Sequence, residues 1–173
     1  DGDLHLLFYN TTLFDKYNLE PPTTWDEYLT ACKTITEGEG GAAYGCGIMG
    51  AKIPLILIGT FLNRLGGFGG AFFDEEGNPT INSPEAVAAL EALVEESPYA
   101  LPEPAAVAFD ELLGGWLTGK VAMAEFWTDL GQMTDNPEQS KIIGEWGVVP
   151  LPKGGGPKAQ ISAPNNAGFG VGV

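Results

Sequence analysis

The sequence predicts an α/β fold, a central β-sheet flanked by helices, and three observations carry that expectation. Short apolar runs of strand length alternate along the chain with longer segments of helical period. The helical segments begin on side chains that cap helices and stop at glycine or proline. The 173 residues, 44% of them apolar, suit one domain with a substantial core.

The elements follow in order. Residues 4–9 (LHLLFY) read as a buried strand, and Asn10 can cap a short helix over 12–17. His5, the lone histidine, has no second histidine for a metal pair and reads as structural. Pro21-Pro22 makes a rigid turn. Thr24 and Glu27 form a capping box, and Trp25, Tyr28, Leu29, Cys32 and Ile35 then share one helix face. That face is core, so Trp25 is expected to pack rather than bind. Glycines at 38–41 end the helix, and 43–49 reads as a second strand.

Residues 53–65 predict a helix with Pro54 in its first turn and Gly66-Gly67 at its end. Residues 68–73 are a glycine-rich loop or a strand edge, 74–78 an acidic turn, and 78–82 extended chain. Ser83 and Pro84 open the next helix, whose apolar stripe is Ala86, Val87, Leu90, Leu93 and Val94. A proline-rich connection over 99–104 leads to a helix over 105–117. A strand over 121–126, a short helix over 128–133 and a turn at Asn136-Pro137-Glu138 follow. Residues 145–151 read as a strand, 153–157 as a glycine loop, and 168–173 as the start of another strand.

Composition excludes some functions. The chain carries 23 acidic and 8 basic residues, a formal net charge of −15. That balance argues against nucleic acid, which needs basic patches, and against anionic membranes. It suits a salty or extracellular setting. The longest apolar run, 53–62, is too short to span a bilayer. No secretion leader opens the chain, which does not place it in the cytoplasm. Cys32 and Cys46 match no metal spacing and are expected to be free, buried thiols.

Catalytic motifs are missing. Gly114, Gly119 and Lys120 approach a phosphate-binding loop, but Val121 stands where a hydroxyl belongs and the segment follows a helix. No nucleophile elbow, zinc-protease or EF-hand pattern is present. Asn10-Thr11-Thr12 fits a glycosylation sequon at an expected helix start. The carboxylate pairs Asp26/Glu27 and Asp110/Glu111 read as solvated helix faces. No cofactor, metal or catalytic residue is expected.

The most informative stretch is 119–132, GKVAMAEFWTDLGQ. Its strand ends in Phe126 and Trp127 followed by Thr128 and Asp129. Ligands sit at strand ends in α/β sheets. An indole face stacks on sugar C–H groups, and a neighbouring carboxylate accepts hydroxyl protons. The same pattern also fits a strand running into a core tryptophan.

Taken together, several segments resemble the extracellular solute-binding proteins of ABC importers, the group that includes maltose-binding protein. These are residues 6–36 (LLFYNTTLFDKYNLEPPTTWDEYLTACKTIT), Leu65-Gly66-Gly67, residues 73–95 (FDEEGNPTINSPEAVAALEALVE), Phe109, Trp116, the GKVAM strand and GVVPLPKG at 147–154. The resemblance implies a type II periplasmic-binding fold. Residues 1–173 match most of its C-terminal lobe, truncated at both ends, with the N-terminal lobe missing. It further implies a periplasmic or extracellular receptor, lipid-anchored if at all outside this chain. Such a receptor captures a small solute, a sugar or oligosaccharide, and delivers it to permease subunits.

By position, the resemblance implies ligand contacts at Phe109, Trp127, Thr128 and Asp129, at Lys52 between Ala51 and Ile53, and at Asn165 and Asn166. The chain shows Phe126-Trp127-Thr128-Asp129 where that family usually has Gly-x-Trp. If only one lobe is present, Phe109 and Trp127 should be unusually exposed. The rival readings are an extracellular carbohydrate-active enzyme, a lectin-like domain and a plain interaction module.

Overall fold

A computed structural model describes residues 4–154. Its α-helices and β-strands run β1 (His5–Asn10), α1 (Thr11–Lys16), α2 (Trp25–Glu39), α3 (Pro54–Gly67), α4 (Pro84–Glu96), α5 (Phe109–Leu117), β2 (Met123–Trp127), α6 (Leu130–Thr134) and β3 (Trp146–Val149). Among the described residues no helix is long and apolar enough to cross a membrane.

The caps act as the residues demand. Asn10 Oδ1 accepts from the Leu13 amide at 2.9 Å and turns β1 directly into α1. At α2 the Thr24 hydroxyl accepts from the Glu27 amide, and the Glu27 carboxylate accepts from the amides of Thr23 and Thr24. These bonds hold the Glu27 carboxyl below its ordinary pKa. Ser83 caps α4 with Pro84 in its first turn. α5 closes on Gly119 at φ +74°, where the Lys120 amide donates back to the Gly115 carbonyl at 2.9 Å. The Gly-Lys pair is thus a helix stop, not a phosphate loop.

The sheet is antiparallel, in the order β2-β1-β3. His5 lies opposite Trp127 and Leu7 opposite Glu125 across one ladder, and Leu7 opposite Val149 across the other. β2 is buried up to Phe126, with Trp127 half-buried at its end, and the middle position of the sheet belongs to β1. Residues 43–49 do not form a continuous strand. They cover the outer edge of β2 by isolated parallel bridges, Tyr44 to Val121 and Gly47 to Ala124. Glycine makes this approach possible. A Cβ on Gly45 would lie 2.2 Å from the Cys32 Cα, and one on Gly47 would lie 2.0 Å from Leu112 Cδ1. So close a path past two helices breaks the regular ladder.

Two cores flank the sheet. On one face Leu7 and Met123 pack with Phe14, Trp25, Tyr28, Ala31, Cys32, Ile35, Cys46 and Ile48. On the other, Phe8, Ala124 and Phe126 pack with Leu112, Trp116, Leu117, Val121 and Leu130. The Trp116 Nε1 donates to the Thr134 hydroxyl at 2.7 Å and ties α5 to α6. Trp25 is core, as its helix face requires.

The expected stripe of α4 is rotated. Ala86, Ala89 and Glu96 are buried with Leu93 half-buried, whereas Val87, Leu90 and Val94 face solvent. Small residues let α4 sit close on α3, and a buried charge pair at its C-terminal end fixes the rotation. Residues 68–73 are a loop. At its end Phe73 bridges Pro79, and 81–82 turn rather than extend.

Candidate functional site

Of the expected contact residues, Phe109, Trp127, Thr128 and Asp129 lie around the end of β2. The Trp127 ring lies 4.7 Å from that of His5 and 6.2 Å from that of Phe109, and Phe109 stacks 4.8 Å from Phe126. Phe109 stands there because it opens α5, whose start is fixed by the Glu111 carboxylate accepting from the Ala108 amide. Thr128 and Asp129 follow Trp127 on the surface, and the Asp129 carbonyl accepts from the Gln132 and Met133 amides to start α6.

Lys52 is exposed in the bend before α3. Its loop is pinned to the approach of α5: the Gly50 amide donates to Pro104 O at 3.1 Å and the Ala51 amide to Val107 O at 3.0 Å. Lys52 and Phe109 are therefore carried on hydrogen-bonded neighbouring segments. Asn165 and Asn166 lie outside the described residues.

One expectation is corrected here. Phe109 and Trp127 are half-buried, because each covers the other and Phe126. A run of exposed apolar side chains lies instead at the start of α3, directly after Lys52: Ile53 (46%), Leu55 (65%), Leu57 (42%) and Ile58 (46%). The buried Trp127 Nε1 has no hydrogen-bond partner among the described residues. Buried indole N–H groups ordinarily have one.

Behind Trp127 lies a polar centre that sequence reasoning missed. Arg64 of α3, fully buried, donates to both carboxylates that flank it. Its Nη1 and Nη2 reach Glu125 of β2 at 3.0 and 2.7 Å, and its Nε reaches Glu96 of α4 at 3.0 Å. Nη2 also bonds Glu96, and Nη1 donates to the Thr60 carbonyl. The guanidinium lies 4.2 Å over the Trp25 ring, a cation–π contact in a desolvated setting. Asn63 Nδ2 donates to Glu125 at 2.8 Å and lies 2.7 Å from His5 Nδ1. The chain of contact thus runs from Glu96 through Arg64, Glu125, Asn63 and His5 to the ring of Trp127.

One guanidinium is shared by two buried carboxyl groups. Burial lifts the Glu96 carboxyl to about 7, with Arg64 pulling it down and Glu125 pushing it up. Burial opposes the Arg64 charge, yet the two carboxylates outweigh that and raise its pKa well above the usual arginine value. A sequence signal existed: Glu125 is the one charge inside VAMAEFW, and Arg64 the one charge inside the apolar 53–67 segment. Charges placed in core elements need partners.

The comparisons agree on one family. The family model described as bacterial extracellular solute-binding protein matches residues 4–173. A probable ABC transporter-binding protein of Deinococcus radiodurans is 32% identical over 163 residues, covering 90% of this chain. The chain spans only 38% of that relative's length. Among solved structures, maltose-bound MalE3 of T. maritima matches with a TM-score of 0.85 at 31% identity, over 95% of this chain and 41% of its own. An ABC transporter solute-binding protein of Agrobacterium vitis with bound D-mannitol matches with a TM-score of 0.81 at 26% identity, over 88% of this chain and 37% of its own.

Proposed function

We propose, starting from the fact that this chain belongs to the bacterial extracellular solute-binding protein family, that it is most of the C-terminal lobe of a two-lobe sugar receptor. The whole receptor captures a sugar or sugar alcohol outside the cytoplasmic membrane and delivers it to ABC permease subunits. One observation carries this reading: the match over nearly the whole chain to MalE3, a protein solved with maltose bound. A polyol ligand in a second structural neighbour supports the same chemical class.

In this reading the Trp127 face and Phe109 supply the apolar platform, and Thr128 and Asp129 the polar groups beside it. Lys52 approaches from the loop tied to α5. Asn165 and Asn166 belong to the same proposed contact set. Concave sites with aromatic walls and a few placed polar groups suit such ligands. Closure of two lobes on the ligand would be a hinge motion. The relatives are binding proteins, and the receptor is inferred to release its ligand unchanged.

Calorimetry tests this. The full-length protein should bind at least one member of a panel holding maltose, maltotriose, D-mannitol and ribitol, and return it unaltered by chromatography. Residues 1–173 alone should bind the same sugar far more weakly. Losing about 4 kcal/mol of contacts lowers affinity roughly a thousandfold. Equal affinity in the two would falsify the two-lobe reading, and a hydrolysed product would overturn the receptor reading.

A further inference from the structure

The two cysteines, 14 positions apart in sequence, meet in space. Both are buried and free, and both side chains lie in the same core cluster. The backbone explains the meeting. Gly45 lets the chain run so close to α2 that any Cβ there would strike the Cys32 backbone at 2.2 Å. Cys46, the next residue, then enters the same core cluster as Tyr28, Ala31, Cys32 and Ile35. Tyr28, one helical turn before Cys32, is buried in the same cluster. The segment is held in place on each side of Cys46: Gly45 N donates to the Thr36 hydroxyl at 2.7 Å, and Leu101 N to Cys46 O at 3.0 Å.

We propose that Cys32 and Cys46 are an oxidisable pair that closes into a disulfide when the protein folds in an oxidising compartment. That compartment follows from the receptor reading above, whereas the pairing rests only on the geometry. The step is thiol–disulfide exchange with a small or protein disulfide. One cysteine thiolate attacks the donor and forms a mixed disulfide, releasing one donor thiol. The second cysteine displaces the other donor thiol and forms the Cys32–Cys46 bond. The two cysteine protons end on the two donor thiols, and the donor disulfide is reduced as the pair is oxidised. Burial raises the Cys32 thiol pKa, so exchange slows once the fold has closed. The bond therefore forms during folding and is afterwards shielded from reductant. It would staple α2 to the segment that covers the edge of β2.

The test uses the full-length protein, refolded from denaturant in a buffer of oxidised and reduced glutathione, then alkylated under denaturing conditions and digested with trypsin. Lys33 lies between the two cysteines, so cleavage there separates them unless they are bonded. The expected result is one linked peptide carrying Cys32 and Cys46, two hydrogens lighter than the sum of its parts. Reduction should lower the Tm of the refolded protein by about 3–4 °C, the effect of opening a loop of about 15 residues in a full-length receptor. A C32A/C46A double variant should show no reductant effect. Two alkylated thiols, or glutathione retained on either cysteine without the cross-link, would overturn the proposal. Neither outcome depends on sugar binding, so failure here leaves the receptor reading intact.

Discussion

Glu125 and Trp127 are two residues apart on one strand, yet the regions they belong to are built by opposite rules. Glu125 sits in a centre where α2, α3, α4, β1 and β2 converge and each charge has a fixed partner. Trp127 sits at a rim, half-covered by His5 and Phe109, with Thr128 and Asp129 outside. In the centre, water is gone and geometry decides whether a charge is tolerated. At the rim, water screens the exposed polar groups. The centre should therefore govern stability and the rim affinity, with His5 as the physical link between them.

The largest effect expected is in the centre. Arg64→Leu leaves Glu96 and Glu125 buried without their cation and should cost about 3–5 kcal/mol in urea unfolding. A loss below 1 kcal/mol would mean that the carboxylates find water, and the contrast between the two regions would collapse.

The second effect is on pH dependence. The Glu96 carboxyl has a folded pKa of about 7, above its ordinary 4.5. The native state holds this proton more tightly than the unfolded chain. The group's favourable contribution is therefore complete below about pH 4.5 and is lost as pH rises through 7. The full change is on the order of 3 kcal/mol. Glu96→Gln keeps hydrogen-bonding capacity toward Arg64 and should flatten the stability profile between about pH 5 and 7. An unchanged profile in that variant would remove Glu96 as its source.

At the rim the expectation reverses. Trp127→Ala should cost about 2 kcal/mol of sugar binding, roughly thirtyfold by calorimetry on the full-length protein, and less than that in stability. If stability falls more than affinity, Trp127 is a core residue that happens to end a strand. The smallest effect belongs to Lys52→Ala. Stability should stay within about 0.5 kcal/mol of wild type, while affinity drops several-fold if the loop meets the ligand. No change in either would take Lys52 out of the site.

Much of this protein was legible in the residues themselves, wherever the signal was local. Asn10, Thr24-Glu27 and Ser83-Pro84 start helices because the capping groups lie within four residues of the amides they serve. The Trp25 face of α2 and the apolar strand before Trp127 follow from period alone, and the ordered motifs pointed to the family that the whole-chain match shows. Other features depend on partners far away in sequence. Segment 43–49 alternates like a strand, but passing Cys32 and Leu112 on glycines broke its ladder. The α4 stripe reads as Ala86, Val87, Leu90, Leu93 and Val94, but with Glu96 turned inward to Arg64 the Val87, Leu90 and Val94 side chains face outward. Arg64, Glu96 and Glu125 are separated by 32 and 61 positions, and no periodicity joins them. Cys32 and Cys46 likewise entered one core cluster only through a backbone approach that Gly45 permits. Caps and periods are properties of a short segment in water. Charge pairing, helix rotation and thiol contact are settled only when distant segments exclude that water together.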